Sequence, residues 1–510
     1  MDPTVSVTGG RVRGRTLAGV SAFLGIPYAA PPVGPARFRA PAPAPRWDGV
    51  RDALQHGASA IQSLYAPPIA ALIGSVLIPG DNPLHLNIWT PDASGSGLPV
   101  MVWLHGGAFT RGSTAIPTYD GTAFARDGVV LVAVNYRLGI TGFGAVDGAP
   151  ANRGLRDQLF ALAWVQENVR AFGGDPDNVT VFGESAGGMS VATLMSSAAA
   201  DDLFRRAVVQ SGNATAVADE VDARHVTAEV AERLGIPATA DDFGQVGAKE
   251  LAAAQTAVGL ALAQDPDPGR WGRSVVRNGL GVMSFFPCVD GDIVTGVPVD
   301  LIADGAAGDV ALLTGTTSEE FRFFLVPTGL GAMVTTEALP LVLSRYGLDP
   351  SVVDVYAAAR PSATAGDLLA AVLTDHAFRA ETVRLADAQT ASGGRAHMYE
   401  FAWRSGVPGL GACHALELPF IFDTLDSAHR LSGPNPPQRL ADEMHSAWVA
   451  FATNGEPGWP EYQPGDRTVQ TFDGPGSTLV RDPRADELRA LRHGRPRDPG
   501  AVGSSGRVAT

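Results

Sequence analysis

Residues 179–187 read Val179-Thr180-Val181-Phe182-Gly183-Glu184-Ser185-Ala186-Gly187, and small and apolar residues continue from Gly188 to Ala200. A short apolar run that ends in Gly-x-Ser-x-Gly and leads into such a segment predicts a strand, a sharp turn and a helix, with the serine at the apex. The spacing has a steric cause. Backbone that folds back so tightly leaves no room for side chains beside the apex, and Gly183 and Gly187 supply that room. The turn lifts the Ser185 hydroxyl clear of the sheet and aims the first amides of the helix at whatever the oxygen attacks. Ser185 is therefore the candidate nucleophile.

Working outward, near-continuous apolar runs at Val100–Leu104, Val129–Val134, Ala207–Val209, Val310–Leu313 and His397–Ala402 join Val179–Phe182 as strands buried on both faces. Helix-like stretches alternate with them, for example Leu155–Phe172 and Leu203–Arg206. Together they predict an α/β fold with a central, mostly parallel sheet flanked by helices. The regions 216–280 and 330–390 are helix-rich in pattern and rich in alanine. Without long linkers around them, they are expected as insertions over the sheet and not as separate domains. Residues 1–493 are thus expected to form one domain. The Gly/Pro/Ser/Arg-rich segment 494–510 is expected to be disordered.

Bulk properties narrow the function classes. The chain has 510 residues, of which 45% are hydrophobic and 18% charged, enough apolar material for a large core. A net charge of −15 argues against nucleic-acid or anionic-membrane partners, which favour a basic face. No apolar run reaches membrane-spanning length. The start, Met1-Asp2-Pro3-Thr4, has neither the basic nor the apolar part of a signal peptide. Cys288 and Cys413 are far apart in sequence and are expected as free thiols. The expectation is a cytoplasmic enzyme, monomeric or homodimeric, acting on a small molecule.

Three more segments carry chemistry. His105-Gly106-Gly107-Ala108-Phe109 directly follows the run Val100–Leu104, and a glycine-rich turn there lets backbone amides approach a developing oxyanion. Read alone, it is equally an ordinary strand-end turn. Glu319-Glu320 follows the run Val310–Leu313, and as residues alone the pair reads as solvated carboxylates or as a catalytic acid. His414 is one of ten histidines; with Glu417 it makes an H-x-x-E pattern, but no second histidine completes a metal site. No metal is expected.

The chain resembles the type-B carboxylesterase family (the carboxylesterase/cholinesterase superfamily), in its bacterial para-nitrobenzyl-esterase-like branch. The resemblance rests on Gly25-Ile26-Pro27-Tyr28-Ala29, Leu86-Asn87-Ile88-Trp89-Thr90-Pro91, Asn135-Tyr136-Arg137-Leu138-Gly139, Gly154-Leu155-Arg156-Asp157-Gln158, Phe172-Gly173-Gly174-Asp175-Pro176 and Gln210-Ser211-Gly212, besides the serine turn. It runs in order over roughly residues 5–485. It implies the α/β-hydrolase fold with helical insertions over the active site, and a Ser-His-Glu hydrolase acting on small to medium apolar esters through an acyl-enzyme, without a cofactor. By resemblance the triad is Ser185, Glu320 (Glu319 in reserve) and His414, and the oxyanion donors are the amides of Gly107, Ala108 and Ala186. A specialised carbamate, amide or polyester-fragment hydrolase, and a non-catalytic binding protein on the same fold, are the alternatives.

The resemblance also implies ion pairs Arg37–Asp81 and Arg137–Asp157. The disulfide that many relatives carry is absent, since Ala60 and Pro83 stand at its positions. Residues 63–79, in relatives a wall of the gorge, include Leu72 and Ile73, which are expected with Phe321 and Phe324 as substrate-pocket residues. Phe323 is a further candidate for the pocket wall. Cys413 abuts His414, so a thiol reagent is expected to inhibit by crowding.

Overall fold

The computed structural model describes residues 2–474 and 476–493; the expected disordered segment 494–510 lies outside them. Among the described residues, eleven strands form one sheet. In chain order they are β1 (Arg15–Leu17), β2 (Val20–Pro27), β3 (His85–Thr90), β4 (Leu98–Leu104), β5 (Val130–Val134), β6 (Gly174–Glu184), β7 (Arg206–Gln210), β8 (Ala311–Thr317), β9 (Ala396–Phe401), β10 (Thr468–Phe472) and β11 (Thr478–Arg481). Their spatial order is β11-β10-β9-β8-β7-β6-β4-β5-β3-β2-β1. Every pairing from β10 across to β5 is parallel. The outer pairings, β10 with β11 and then β5–β3, β3–β2 and β2–β1, are antiparallel. Each apolar run read from the sequence lies on one of the parallel strands.

Side chains on a strand alternate between faces, so the centre of the sheet needs apolar residues at every position. In β4, Val100, Val102 and Leu104 pack on one face with Ala161, Val165 and Val191. Met101 and Trp103 pack on the other with Phe182, Phe422 and Trp448. The antiparallel β3 is read less easily because it buries polar residues. Asn87, fully buried, donates to Thr114 Oγ1 at 3.0 Å and accepts from the Gly25 amide at 2.8 Å.

The helices that matter for the site are, in order, α1 (Pro67–Ile73), α2 (Arg153–Asn168), α3 (Ala186–Met195), α4 (Ala248–Gln264), α5 (Ala365–Thr374), α6 (Ala380–Ala391) and α7 (Gln438–Asn454). Leu155–Phe172 is helical as expected, as α2 continued by a tighter turn at Val169–Phe172. Leu203–Arg206 is not. Leu203–Arg205 form a bend and Arg206 already begins β7, with Arg205 N–H donating to Val179 O at 2.9 Å. Four residues nucleate a helix poorly, and pairing with β6 satisfies the same backbone groups. The segments 216–280 and 330–390 are predominantly helical.

Candidate active site

The serine turn forms where β6 gives way to α3. Ser185 has φ 55° and ψ −125°, a strained conformation for a residue with a side chain. It is held there from both sides: its N–H donates to Gln210 O at 2.9 Å, and its carbonyl accepts from Met189 N–H at 2.8 Å. A Cβ on Gly183 would lie 2.5 Å from Gly187 C, and one on Gly187 would lie 2.0 Å from Leu104 O. Both glycines therefore sit where main chain meets main chain. Gly106 has the same role on the facing loop, where a Cβ would lie 2.7 Å from Glu184 O.

That facing loop follows β4. Gly107 and Ala108 have φ of 119° and 55°, and Gly107 O accepts from the amides of Thr110 and Arg111, both at 3.1 Å. The amides of Gly107 and Ala108 have no backbone partner among the described residues. Ala186 is the first residue of α3, where an N–H lacks an intrahelical acceptor. Behind the loop, His105 stacks on Tyr136 with ring centroids 4.5 Å apart, and Nδ1 lies 2.9 Å from Gly106 O. Burial lowers the His105 pKa to about 4, so this imidazole is neutral scaffold.

His414 lies between two carboxylates. Its Nδ1 is 2.5 Å from Glu320 Oε2, and its Nε2 is 3.0 Å from Glu184 Oε1. Glu320 is fully buried, and its other oxygen accepts from Ser211 Oγ at 2.6 Å and from Thr317 N–H at 2.8 Å. The neighbouring carboxylate points elsewhere: Glu319 accepts from Arg322 Nε at 2.7 Å and the Ala412 amide at 3.0 Å, and pairs with Arg404 at 2.6 Å. Thus Glu320, and not Glu319, meets the imidazole. Ser211, quoted above only within the block Gln210-Ser211-Gly212, is a polar partner to which the sequence assigned no role; its position just after β7 was the available signal.

Burial would lower the His414 pKa, but Glu184 and Glu320 outweigh it and push it up to about 9. Burial raises Glu184 to about 7, against the His414 charge and with that of Glu320. Glu417 is buried and held well above the usual carboxylate range by burial, then by Glu184 and Glu320. Three phenyl rings surround the imidazole, with centroids 6.0 Å (Phe323), 5.2 Å (Phe324) and 5.0 Å (Phe378) away. They exclude water from the face where charge would develop.

Ser185, His414, Gly107 and Ala108 line one cavity of about 430 Å³. Leu72, Ile73, Phe321 and Phe324 line it too. Arg111, Met283 and Phe378 line it without having been foreseen. Among the described residues no group of three or more His, Cys, Asp and Glu side chains could hold a metal ion, and no helix is long and apolar enough to cross a membrane.

Two expectations are corrected. Arg37 does not pair with Asp81; its Nη1 donates to Val246 O at 2.6 Å, while Asp81 is exposed. Cys413 is fully buried, and burial holds its thiol well above the ordinary value, so it offers reagents neither access nor thiolate. The Arg137–Asp157 pair is present, at 2.6 Å and almost wholly buried.

The model of the Carboxylesterase family matches residues 1–486. The para-nitrobenzyl esterase of Bacillus subtilis is 35% identical over 500 residues, covering 94% of this chain and 97% of that protein. A phenmedipham hydrolase from Pseudarthrobacter oxydans is 33% identical, again over 94% of this chain and 97% of that one. Among solved structures, a Geobacillus stearothermophilus carboxylesterase superposes with a TM-score of 0.83 at 36% identity, over 96% of this chain and 99% of that chain.

Proposed function

The chain belongs to the carboxylesterase family and is a serine carboxylesterase of α/β-hydrolase fold, and from that premise we propose that it cleaves carboxylic esters with Ser185, His414 and Glu320 through an acyl-enzyme. The observation that carries the reading is the convergence on one cavity of a strained serine, a glycine-rich amide loop and an imidazole whose far nitrogen is 2.5 Å from a buried carboxylate.

In this scheme Ser185 Oγ attacks the ester carbonyl carbon while its proton passes to His414 Nε2. Glu320 accepts the Nδ1 proton in a hydrogen bond, which fixes the tautomer and offsets the imidazolium charge. Ser211 and the Thr317 amide hold that carboxylate in place. The amides of Gly107, Ala108 and Ala186 receive the oxyanion of the tetrahedral intermediate. Its collapse breaks the ester C–O bond, and the leaving alcohol takes the proton from Nε2. A water that gives a proton to His414 then attacks the acyl carbon, releasing the acid and restoring Ser185. No step uses a metal or an organic cofactor.

The apolar lining and the cavity of about 430 Å³ support small to medium apolar esters as the substrate class. The same reading takes residues 1–493 as a single domain, supported by walls drawn from the sheet loops and both helical segments alike. Ser185→Ala tests the scheme. With para-nitrophenyl esters it is expected to lower kcat by about four orders of magnitude or more. Unchanged hydrolysis would remove the nucleophile and the mechanism with it.

A further inference from the structure

Arg111 is the unexplained charge of the gorge. It lies on the oxyanion turn itself, its N–H donating to Gly107 O at 3.1 Å, four residues after the first proposed donor. Its guanidinium stands over the Tyr65 ring, 5.0 Å from the centroid, and Nε donates to Thr110 Oγ1 at 3.1 Å. These two contacts orient the plane and leave the Nη1/Nη2 edge uncommitted. No carboxylate or carbonyl among the described residues accepts from that edge or forms an ion pair with it. The side chain nevertheless lines the cavity that holds Ser185 and His414. Among the described residues, the arginines that are fully buried are matched: Arg137 by Asp157 and two carbonyls, Arg153 by four carbonyls, and Arg379 by Asp375.

Arg111 is half-buried, and that burial lowers its pKa from the ordinary arginine value, so a guanidinium left there without a counter-ion carries a cost. Packing on Tyr65 alone does not call for the charge, since an apolar side chain would stack there without that cost. The free edge is a flat pair of donors spaced to match the two oxygens of a carboxylate. The cavity beside it is lined mainly by apolar side chains, which strengthens such a pair relative to open water and makes a neutral group at the same place a poorer substitute. Among the described residues lining the cavity, the other ionisable groups of the catalytic cluster, Glu184 and His414, face each other at 3.0 Å and leave Arg111 for the ligand.

We propose that Arg111 is a specificity-determining residue that receives a carboxylate carried by the ester substrate, so that the preferred substrates are apolar esters with one anionic substituent. This rests on the reading of Ser185 as the nucleophile in the same cavity. The carboxylate can belong to the alcohol part or to the acyl part, and both place the same group against the same donors. A protein of net charge −15 repels anions at long range, but that field is screened within about 10 Å at ordinary ionic strength, so the local cation decides.

The test compares matched ester pairs on the full chain. For the alcohol side the pair is para-acetoxybenzoate against para-acetoxybenzamide; for the acyl side it is mono-para-nitrophenyl adipate against para-nitrophenyl hexanoate. The readout is the anionic-to-neutral ratio of kcat/KM, measured for wild type, Arg111→Leu and Arg111→Lys. In one of the two pairs the ratio is expected to fall about tenfold or more in Arg111→Leu and less in Arg111→Lys, which keeps the charge but loses the fork. The responding pair identifies the side. Benzoate is also expected to inhibit the wild type better than benzamide, an arm that needs no variant. Ratios that move less than about twofold in both pairs, with benzoate no better than benzamide, overturn the assignment. In that case continued hydrolysis of neutral esters, abolished in Ser185→Ala, shows that the catalytic reading survives. A wild type that hydrolyses none of the four esters overturns both.

Discussion

Gly187→Ala is the substitution that most directly joins the opening motif to rate. Gly187 is a helical residue of α3, so alanine is conformationally acceptable there, and the penalty is purely one of space. The added Cβ would lie 2.0 Å from Leu104 O and 2.9 Å from Leu104 C, whereas real Cβ contacts stay at 3.0 Å or more. The difference, 3.0 − 2.0, requires a displacement of about 1 Å, and the neighbour that must yield is main chain at the end of the central strand β4. That strand end leads directly into Gly106–Ala108, and Ser185 is two residues before Gly187. The displacement therefore separates the nucleophile from the oxyanion loop. A misplacement of about 1 Å costs on the order of a hundredfold in rate, or about 2.7 kcal/mol in the barrier. Overpacking adds roughly 1–3 kcal/mol of destabilisation. The assay is kcat/KM on a para-nitrophenyl ester, with active sites counted by phosphonate titration and folding checked by circular dichroism. Gly465→Ala is the control, because a Cβ there meets nothing within 4 Å. A folded Gly187→Ala enzyme within about threefold of wild type would refute the steric argument.

Two further outcomes follow from the charges. Glu184 helps hold the His414 pKa up at about 9, and the scheme needs that imidazole neutral, so activity falls as pH drops through the His414 value. Glu184→Gln removes one raising charge, and the acid limb of the kcat/KM profile is expected to move to lower pH; a limb that stays or rises contradicts the assignment. Asp157→Ala leaves the Arg137 guanidinium buried with its carbonyl partners alone, and about 3–5 kcal/mol of stability is expected to be lost in urea unfolding. A loss below about 1 kcal/mol would show that the carbonyls of Arg37 and Arg39 suffice.

The central sheet was legible because its strands are buried on both faces, so Val100–Leu104 or Val179–Phe182 have no polar phase to confuse the period. β3 was less legible because its interior includes His85 and Asn87, whose bonds to Ala58, Gly25 and Thr114 come from segments distant in sequence. Leu203–Arg206 looked helical only because its residues have helical propensity; pairing with a neighbour decided otherwise. Ser185, Gly107 and Ala108 lie in local motifs, where sequence order nearly dictates geometry. Glu320 needed the resemblance to be preferred over Glu319, and the structure separates the two by direction, one toward His414 and the other toward Arg322 and Arg404. Arg111 and Phe378 could not be read, because which way a single side chain points off a turn or a helix depends on packing from elsewhere. For Arg37 the expected partner was a carboxylate nearby in the fold, yet the Val246 carbonyl took its place.

The central claim is that the ester's acyl group is held on Ser185. Trapping with an organophosphate, followed by peptide mapping with fragmentation, tests it most directly. The account predicts one adduct per chain, on Ser185 of the peptide spanning residues 171–205, with hydrolysis lost in proportion to labelling. An adduct on any other residue, or full hydrolysis by fully labelled protein, would contradict it.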